Sequence, residues 1–151
     1  MQLTLLAYTQ PHPGIPADHP LRQGQGTFQE NLIEFAGRVC YRSDAKMGHN
    51  PGFIMARVRE GHEDIVEHTR FVFKLEDQPL DHTLLALVNL PTVAYTDLGG
   101  GDWILSLNAR NVRDFWTRSG SDLAAAMVRL AYQAIPAVYA DLPPAAGEVS
   151  A

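Results

Sequence analysis

The sequence predicts an α+β domain, a mostly antiparallel sheet packed with helices. Two observations carry this. Segments of period-two alternation come in neighbouring pairs, and segments with helical spacing come in groups, without the regular β–α alternation of a parallel doubly wound sheet. At 151 residues, the chain has the length of one domain with room for a real core. Residues 1–142 are read as that domain and 143–151, PPAAGEVSA, as a mobile tail.

The elements follow in order. Residues 2–8 alternate around an apolar run and read as a strand. Residues 11–26 hold four prolines and three glycines and read as a loop. Thr27-Phe28-Gln29-Glu30 is a capping box that opens a helix. Phe28, Leu32, Phe35, Ala36 and Val39 follow at helical spacing and predict its buried stripe. Asn50-Pro51 starts a second helix, and Gly61 ends it. Residues 69–76 alternate, with Phe71, Phe73 and Leu75 on one side and Arg70, Val72 and Lys74 on the other, as in a strand with one face on a core. Residues 81–89 read as a short helix stopped by Pro91. Residues 92–95 and 102–107 read as a hairpin joined through Gly99-Gly100-Gly101. A helix runs from Asn108 or Ala109 to about Arg118. Another starts at Ser121, with Leu123, Met127, Leu130, Ala131, Ala134 and Val138 on one face, and Pro136 kinks or shortens it.

Composition excludes several function classes. Twelve basic against 17 acidic residues give a net charge of −5, which argues against a nucleic-acid surface. Ten of the 12 cations are Arg, suited to forked contacts with phosphate or carboxylate in a local anion site. Cys40 is the one cysteine, so no internal disulfide framework is expected. No stretch approaches membrane-spanning length and the N-terminus is unlike a signal peptide, so a cytoplasmic protein without membrane or nucleic-acid partners is expected.

Several side chains admit a functional and a structural role. His62, after a helix-ending glycine and before a strand, can reach a ligand or interact with the last carbonyls of the helix. Glu67 and His68 read as structural. Asn108, Arg110 and Arg113 stand at a strand-to-helix junction, where a helix start favours an anion. The same residues are also spaced for an Asn cap and for intrahelical pairs of Arg110 with Asp114 and of Asp114 with Arg118. Cys40 reads as a small buried hydrophobe. Gly99-Gly100-Gly101 matches no phosphate loop and reads as a turn. The six histidines fit no zinc spacing, so no metal is expected.

Three blocks occur in a telling order: NLIEFAGRVCYRS at 31–43, GHEDIVEHTRFVF at 61–73 and NARNVRDFWTR at 108–118. They resemble the flavin-dependent thymidylate synthases, the ThyX family; LTLLAYT at 3–9 resembles the family's opening strand. The resemblance implies a ThyX-like fold, FAD as cofactor, and NADPH and methylenetetrahydrofolate as co-substrates wherever dUMP is methylated to dTMP. It also implies a homo-oligomer, a homotetramer in the family, with sites at subunit interfaces. By the same resemblance His62, Asn108, Arg110 and Arg38 would hold the flavin. Arg118 would reach the nucleotide substrate, although it stands one position before the family's Arg, a rotation of about 100° on a helix.

Two departures matter. Leu87 stands where the family's A-R-x-x-L-P stretch carries a phosphate-binding Arg, and the R-H-R-x7-S signature is absent. The chain reads as internally shortened between about 76 and 85. The expectation is a ThyX-like protein keeping part of an FAD or nucleotide pocket, with dUMP methylation doubtful and no catalytic residue assigned. Its alternatives are a thymidylate synthase (a methyltransferase) completed by another subunit, and a non-enzymatic binding or assembly module that has lost the cofactor.

Overall fold

The computed structural model describes residues 1–40, 46–48 and 50–145; residues 41–43 of the first block and 146–151 of the expected tail lie outside the described residues. Four strands are described, β1 (Gln2–Tyr8), β2 (Arg70–Glu76), β3 (Ala94–Gly99) and β4 (Asp102–Asn108). They form one antiparallel sheet in the order β1-β2-β4-β3. The helices are α1 (Phe28–Cys40), α2 (Asn50–Arg59), α3 (His82–Val88), α4 (Ala109–Ser119), α5 (Asp122–Ala134) and α6 (Pro136–Tyr139). Short 3-10 helices occupy Pro20–Arg22 and Glu63–His68. The α+β expectation therefore holds.

Alternation sets which sheet face is covered. Phe71, Phe73 and Leu75 of β2 pair with Leu107, Leu105 and Trp103 of β4, and all six side chains are buried in the core. The core continues through Leu123, Met127 and Val128 of α5 and Val138 and Tyr139 of α6. Pro136 splits the predicted last helix: α5 ends at Ala134 and α6 begins at Pro136. Gly61, at φ 79°, closes α2 as a Schellman motif, with the Gly61 N–H bonded to Val58 O and the His62 N–H to Arg57 O. α2 begins at Asn50 itself, and the expected Asn50 cap lies outside the described side chains.

The predicted buried face of α1 is corrected. Gln29, Glu30, Ile33, Glu34, Gly37 and Arg38 face inward, whereas Val39 is half exposed. The inward polar groups serve neighbouring elements. The capping box forms as expected, with Thr27 N–H bonded to Glu30 Oε1 (2.9 Å) and Glu30 N–H to Thr27 Oγ1 (3.2 Å). Glu30 Oε2 also accepts the Ala137 N–H at the start of α6 (2.8 Å), and Gln29 donates to Thr9 O (2.6 Å). These bonds satisfy backbone groups of α6 and of the segment after β1, which outweighs the apolar spacing. The apolar stripe is only partly covered, with the His19 ring against Phe35 at 5.4 Å. Cys40 is likewise exposed rather than buried, because it ends this helix on the outer side.

Gly37 lets α1 approach α2. A Cβ there would lie 2.7 Å from Phe53 Cε1 and 3.2 Å from Ile65 Cδ1. Gly37→Ala is expected to lower stability by about 1–3 kcal/mol in urea unfolding, as overpacking does. An unchanged midpoint would mean that α1 and α2 do not meet this closely.

Candidate functional site

The junction of β4 and α4 holds a network of buried and half-buried polar side chains. Asn108 caps α4: its Oδ1 accepts the Asn111 N–H (2.8 Å), and Asn111 Oδ1 accepts the Asn108 N–H (3.0 Å). Asn108 Nδ2 donates to Thr92 Oγ1 (3.1 Å), and Asn111 Nδ2 to Pro91 O (2.8 Å). The reciprocal cap ties the helix start to the turn before β3, and both asparagines are buried.

Beside this network lies a cleft of about 210 Å³. Pro91, Thr92, Asn108 and Asn111 form its neutral wall, and Glu67, Arg110, Asp114 and Arg118 form its charged wall. Positions 110, 114 and 118 are four apart and share one helix face. The displacement of Arg118 relative to the resemblance thus leaves it on the same stripe as Arg110.

Arg110 is heavily engaged. Its Nη1 bonds Glu67 Oε1 at 2.7 Å, and its Nε lies 3.5 Å from Glu63 and 3.9 Å from Asp114. The Glu67 hydrogen bond, against a smaller opposing effect of burial, raises the Arg110 pKa further. Arg118 is exposed and makes no hydrogen bond or ion pair among the described residues. The expected Asp114–Arg118 pair is therefore not formed, and the cleft offers one uncommitted guanidinium.

His62 is exposed at the turn after α2, and its ring is not part of the cleft lining. Arg38 lies elsewhere. Its Nε bonds Glu34 Oε1 at 2.8 Å and its guanidinium sits 4.4 Å from the Phe53 ring centroid, both inside the α1–α2 contact. Glu34 Oε1 also accepts the Gly48 N–H (3.1 Å). Of the four residues read as flavin contacts, Asn108 and Arg110 are brought together with Arg118; His62 and Arg38 do not line that cleft.

Thr92 and Asn111 carry no functional signal in the sequence. Asn108-x-x-Asn111 is legible as a reciprocal cap. Thr92 is not legible, because its distinguishing feature is a φ of 68°. For a β-branched residue the left-handed region is a genuine outlier, with a strain of about 1–3 kcal/mol. Hydrogen bonds hold it there: Arg70 Nη2 donates to Thr92 O (3.2 Å) and to Ser106 O (3.1 Å).

Arg113 anchors the far side of α4. It forms a forked bridge to Asp141 (2.7 and 3.1 Å), and Tyr139 Oη donates to Ala109 O (2.9 Å). The Arg113 hydrogen bond, partly offset by burial, lowers the Asp141 pKa. A depressed carboxylate stabilises the fold above its ordinary value of about 3.9 and loses that contribution as pH falls through the folded value. Asp141→Asn is expected to cost about 1 kcal/mol at pH 7 for this partly exposed pair, with the difference closing below about pH 4. A difference constant down to pH 2.5 in urea titrations would contradict the pair's role.

The connection from β2 to α3 is short and pinned. Asp77, at φ 56°, donates its N–H to Asp102 Oδ1 (3.2 Å), and the Gln78 N–H bonds Gly101 O (2.9 Å). Trp103 Nε1 donates to Gln78 O (2.9 Å), and Asp81 caps α3 by accepting the Leu84 N–H (2.9 Å). Leu87, where the resemblance expects an Arg, is fully buried in the core. No helix among the described residues is long and apolar enough to cross a membrane.

The family described as thymidylate synthase complementing protein matches over residues 25–84. No curated protein matches the chain. The matched stretch contains α1, α2, the 3-10 helix that supplies Glu63 and Glu67, β2 and the pinned link into α3. Over that stretch, less than half of its length, the chain is similar to this family.

Proposed function

We propose that this ThyX-related protein retains the nucleotide-phosphate portion of the family's ligand site in the α4 cleft and does not methylate dUMP on its own. The uncommitted Arg118 guanidinium, beside the hydrogen-bonding wall of Thr92, Asn108 and Asn111, is the observation that carries this reading. One charge-assisted contact is worth about 1.5–3 kcal/mol, enough for roughly ten- to a hundredfold in affinity.

The described residues of the α4 cleft do not enclose a whole flavin cofactor. The cleft volume of about 210 Å³ falls below the roughly 300–1,000 Å³ of sites that enclose such ligands. The Asn108 amide is committed to the cap and to Thr92, and Arg110 faces Glu67, Glu63 and Asp114.

A second reading, completion of the site by another subunit, draws support from the surface. Leu80, Leu85, Tyr95 and Leu98 are each about half exposed, and β3 is an edge strand. Titration of the purified chain with dUMP and with FAD, together with its mass in solution and an assay for dTMP formation, separates the readings. Saturable dUMP binding without FAD uptake or turnover supports the first. FAD uptake and turnover by an oligomer support the second. Failure to bind either ligand contradicts both.

A further inference from the structure

The cleft contains one backbone feature that packing does not demand. Thr92 is exposed, yet holds a left-handed conformation that glycine or asparagine would adopt with less strain. Three side chains fix it there. Arg70 holds its carbonyl, and Asn108 and Asn111 flank its hydroxyl. The result is a hydroxyl presented at the cleft wall.

That hydroxyl has spare bonding capacity. Oγ1 accepts from Asn108 Nδ2 at 3.1 Å, and its contact with Asn111 Oδ1 is long, 3.4 Å. A hydroxyl carries two lone pairs and one proton, so an acceptor site remains and the long bond is readily exchanged. At this helix start the Asn111 N–H is taken by Asn108 Oδ1 and the Ala109 N–H by Thr69 O, so a ligand here meets side chains as well as backbone.

We propose that Thr92 is a specificity-determining residue of the cleft, and Arg70 a positioning residue that pins it. Thr92 Oγ1 hydrogen-bonds the uncharged part of a nucleoside monophosphate whose phosphate is taken by Arg118. The inference rests on the nucleotide reading given above and deepens it. The strain at Thr92 is then retained for binding, as strained residues at sites commonly are.

The test compares the full chain with Thr92→Gly and Thr92→Val, using dUMP as the probe in calorimetric titration and thermal unfolding as the second readout. Thr92→Gly relieves the left-handed strain and removes the hydroxyl. Because it also leaves the buried Asn108 amide without its partner, its Tm is compared with that of Thr92→Val, which loses the same bond: Thr92→Gly is expected to melt about 2–4 °C above Thr92→Val while weakening dUMP about three- to tenfold, the share of one neutral hydrogen bond. Thr92→Val keeps the strain and loses the same hydroxyl, so it is expected to weaken dUMP equally and to melt below Thr92→Gly. A purely structural Thr92 would move stability and affinity together. Thr92→Gly binding dUMP as well as the unsubstituted protein overturns this inference and leaves the nucleotide reading standing. A Thr92→Gly that melts no higher than Thr92→Val overturns the strain on which the inference depends. No dUMP binding by the unsubstituted protein overturns the nucleotide reading and this inference together.

Discussion

Arg38→Ala is expected to destabilise the fold by about 3–5 kcal/mol, a large share of the roughly 5–15 kcal/mol that holds a domain folded. Glu34 is fully buried, and the Arg38 side chain is about 9% exposed. Removing the guanidinium leaves a carboxylate in a low-dielectric site without the cation that bonds its Oε1 at 2.8 Å. It also removes the contact over the Phe53 ring. The double variant Glu34→Leu with Arg38→Met is expected to recover most of the loss, because a buried pair exchanged for apolar side chains of similar size is commonly near neutral. Urea unfolding of both variants checks this. An Arg38→Ala protein of unchanged stability but lower affinity for FAD would instead make Arg38 a cofactor contact, as the family resemblance implied.

Glu67→Gln is expected to strengthen dUMP binding by roughly ten- to a hundredfold. In the structure Glu67 occupies Arg110 at 2.7 Å, so an incoming phosphate must compete with an internal carboxylate. Neutralising Glu67 weakens the shortest of the three carboxylate contacts of Arg110 and leaves the longer ones to Glu63 and Asp114, so the guanidinium can turn to the phosphate beside Arg118. Stability should change by less than about 1 kcal/mol, because both partners are some 40% exposed and such bridges are screened. The double variant Glu67→Gln with Arg110→Ala should lose the gain. Unchanged affinity in Glu67→Gln would show that Arg110 does not face the ligand.

Much of the fold is legible in the residues, for identifiable reasons. The alternation of Phe71, Phe73 and Leu75 predicts both β2 and its buried face, since a one-residue slip would expose all three. The capping box at Thr27 and the caps at Asn108 and Ser121 mark helix starts that the structure keeps, because each satisfies an otherwise free backbone N–H. The orientation of α1 was not legible. Its inward polar side chains meet groups distant in sequence, among them the Ala137 N–H more than 100 residues away, which helical spacing does not encode.

The candidate site divides the same way. Asn108, Arg110 and Arg118 share a cleft because β4 runs directly into α4 and the helix repeats every four residues on one face. What the spacing does not reveal is the counter-charge. Glu63 and Glu67 come from a 3-10 helix some 45 residues earlier, and their presence changes Arg110 from an available cation into an engaged one. Arg38, a flavin contact by the resemblance, bonds the Glu34 carboxylate one helical turn away at 2.8 Å.

The most direct test is an amide chemical-shift map of the ¹⁵N-labelled chain during dUMP titration. Saturable shifts concentrated at Thr92, Asn108, Arg110, Asn111 and Arg118, and abolished by Arg118→Ala, are the expected result. Shifts centred on His62 and Arg38, or the same shifts in Arg118→Ala, would contradict a ligand seated against α4.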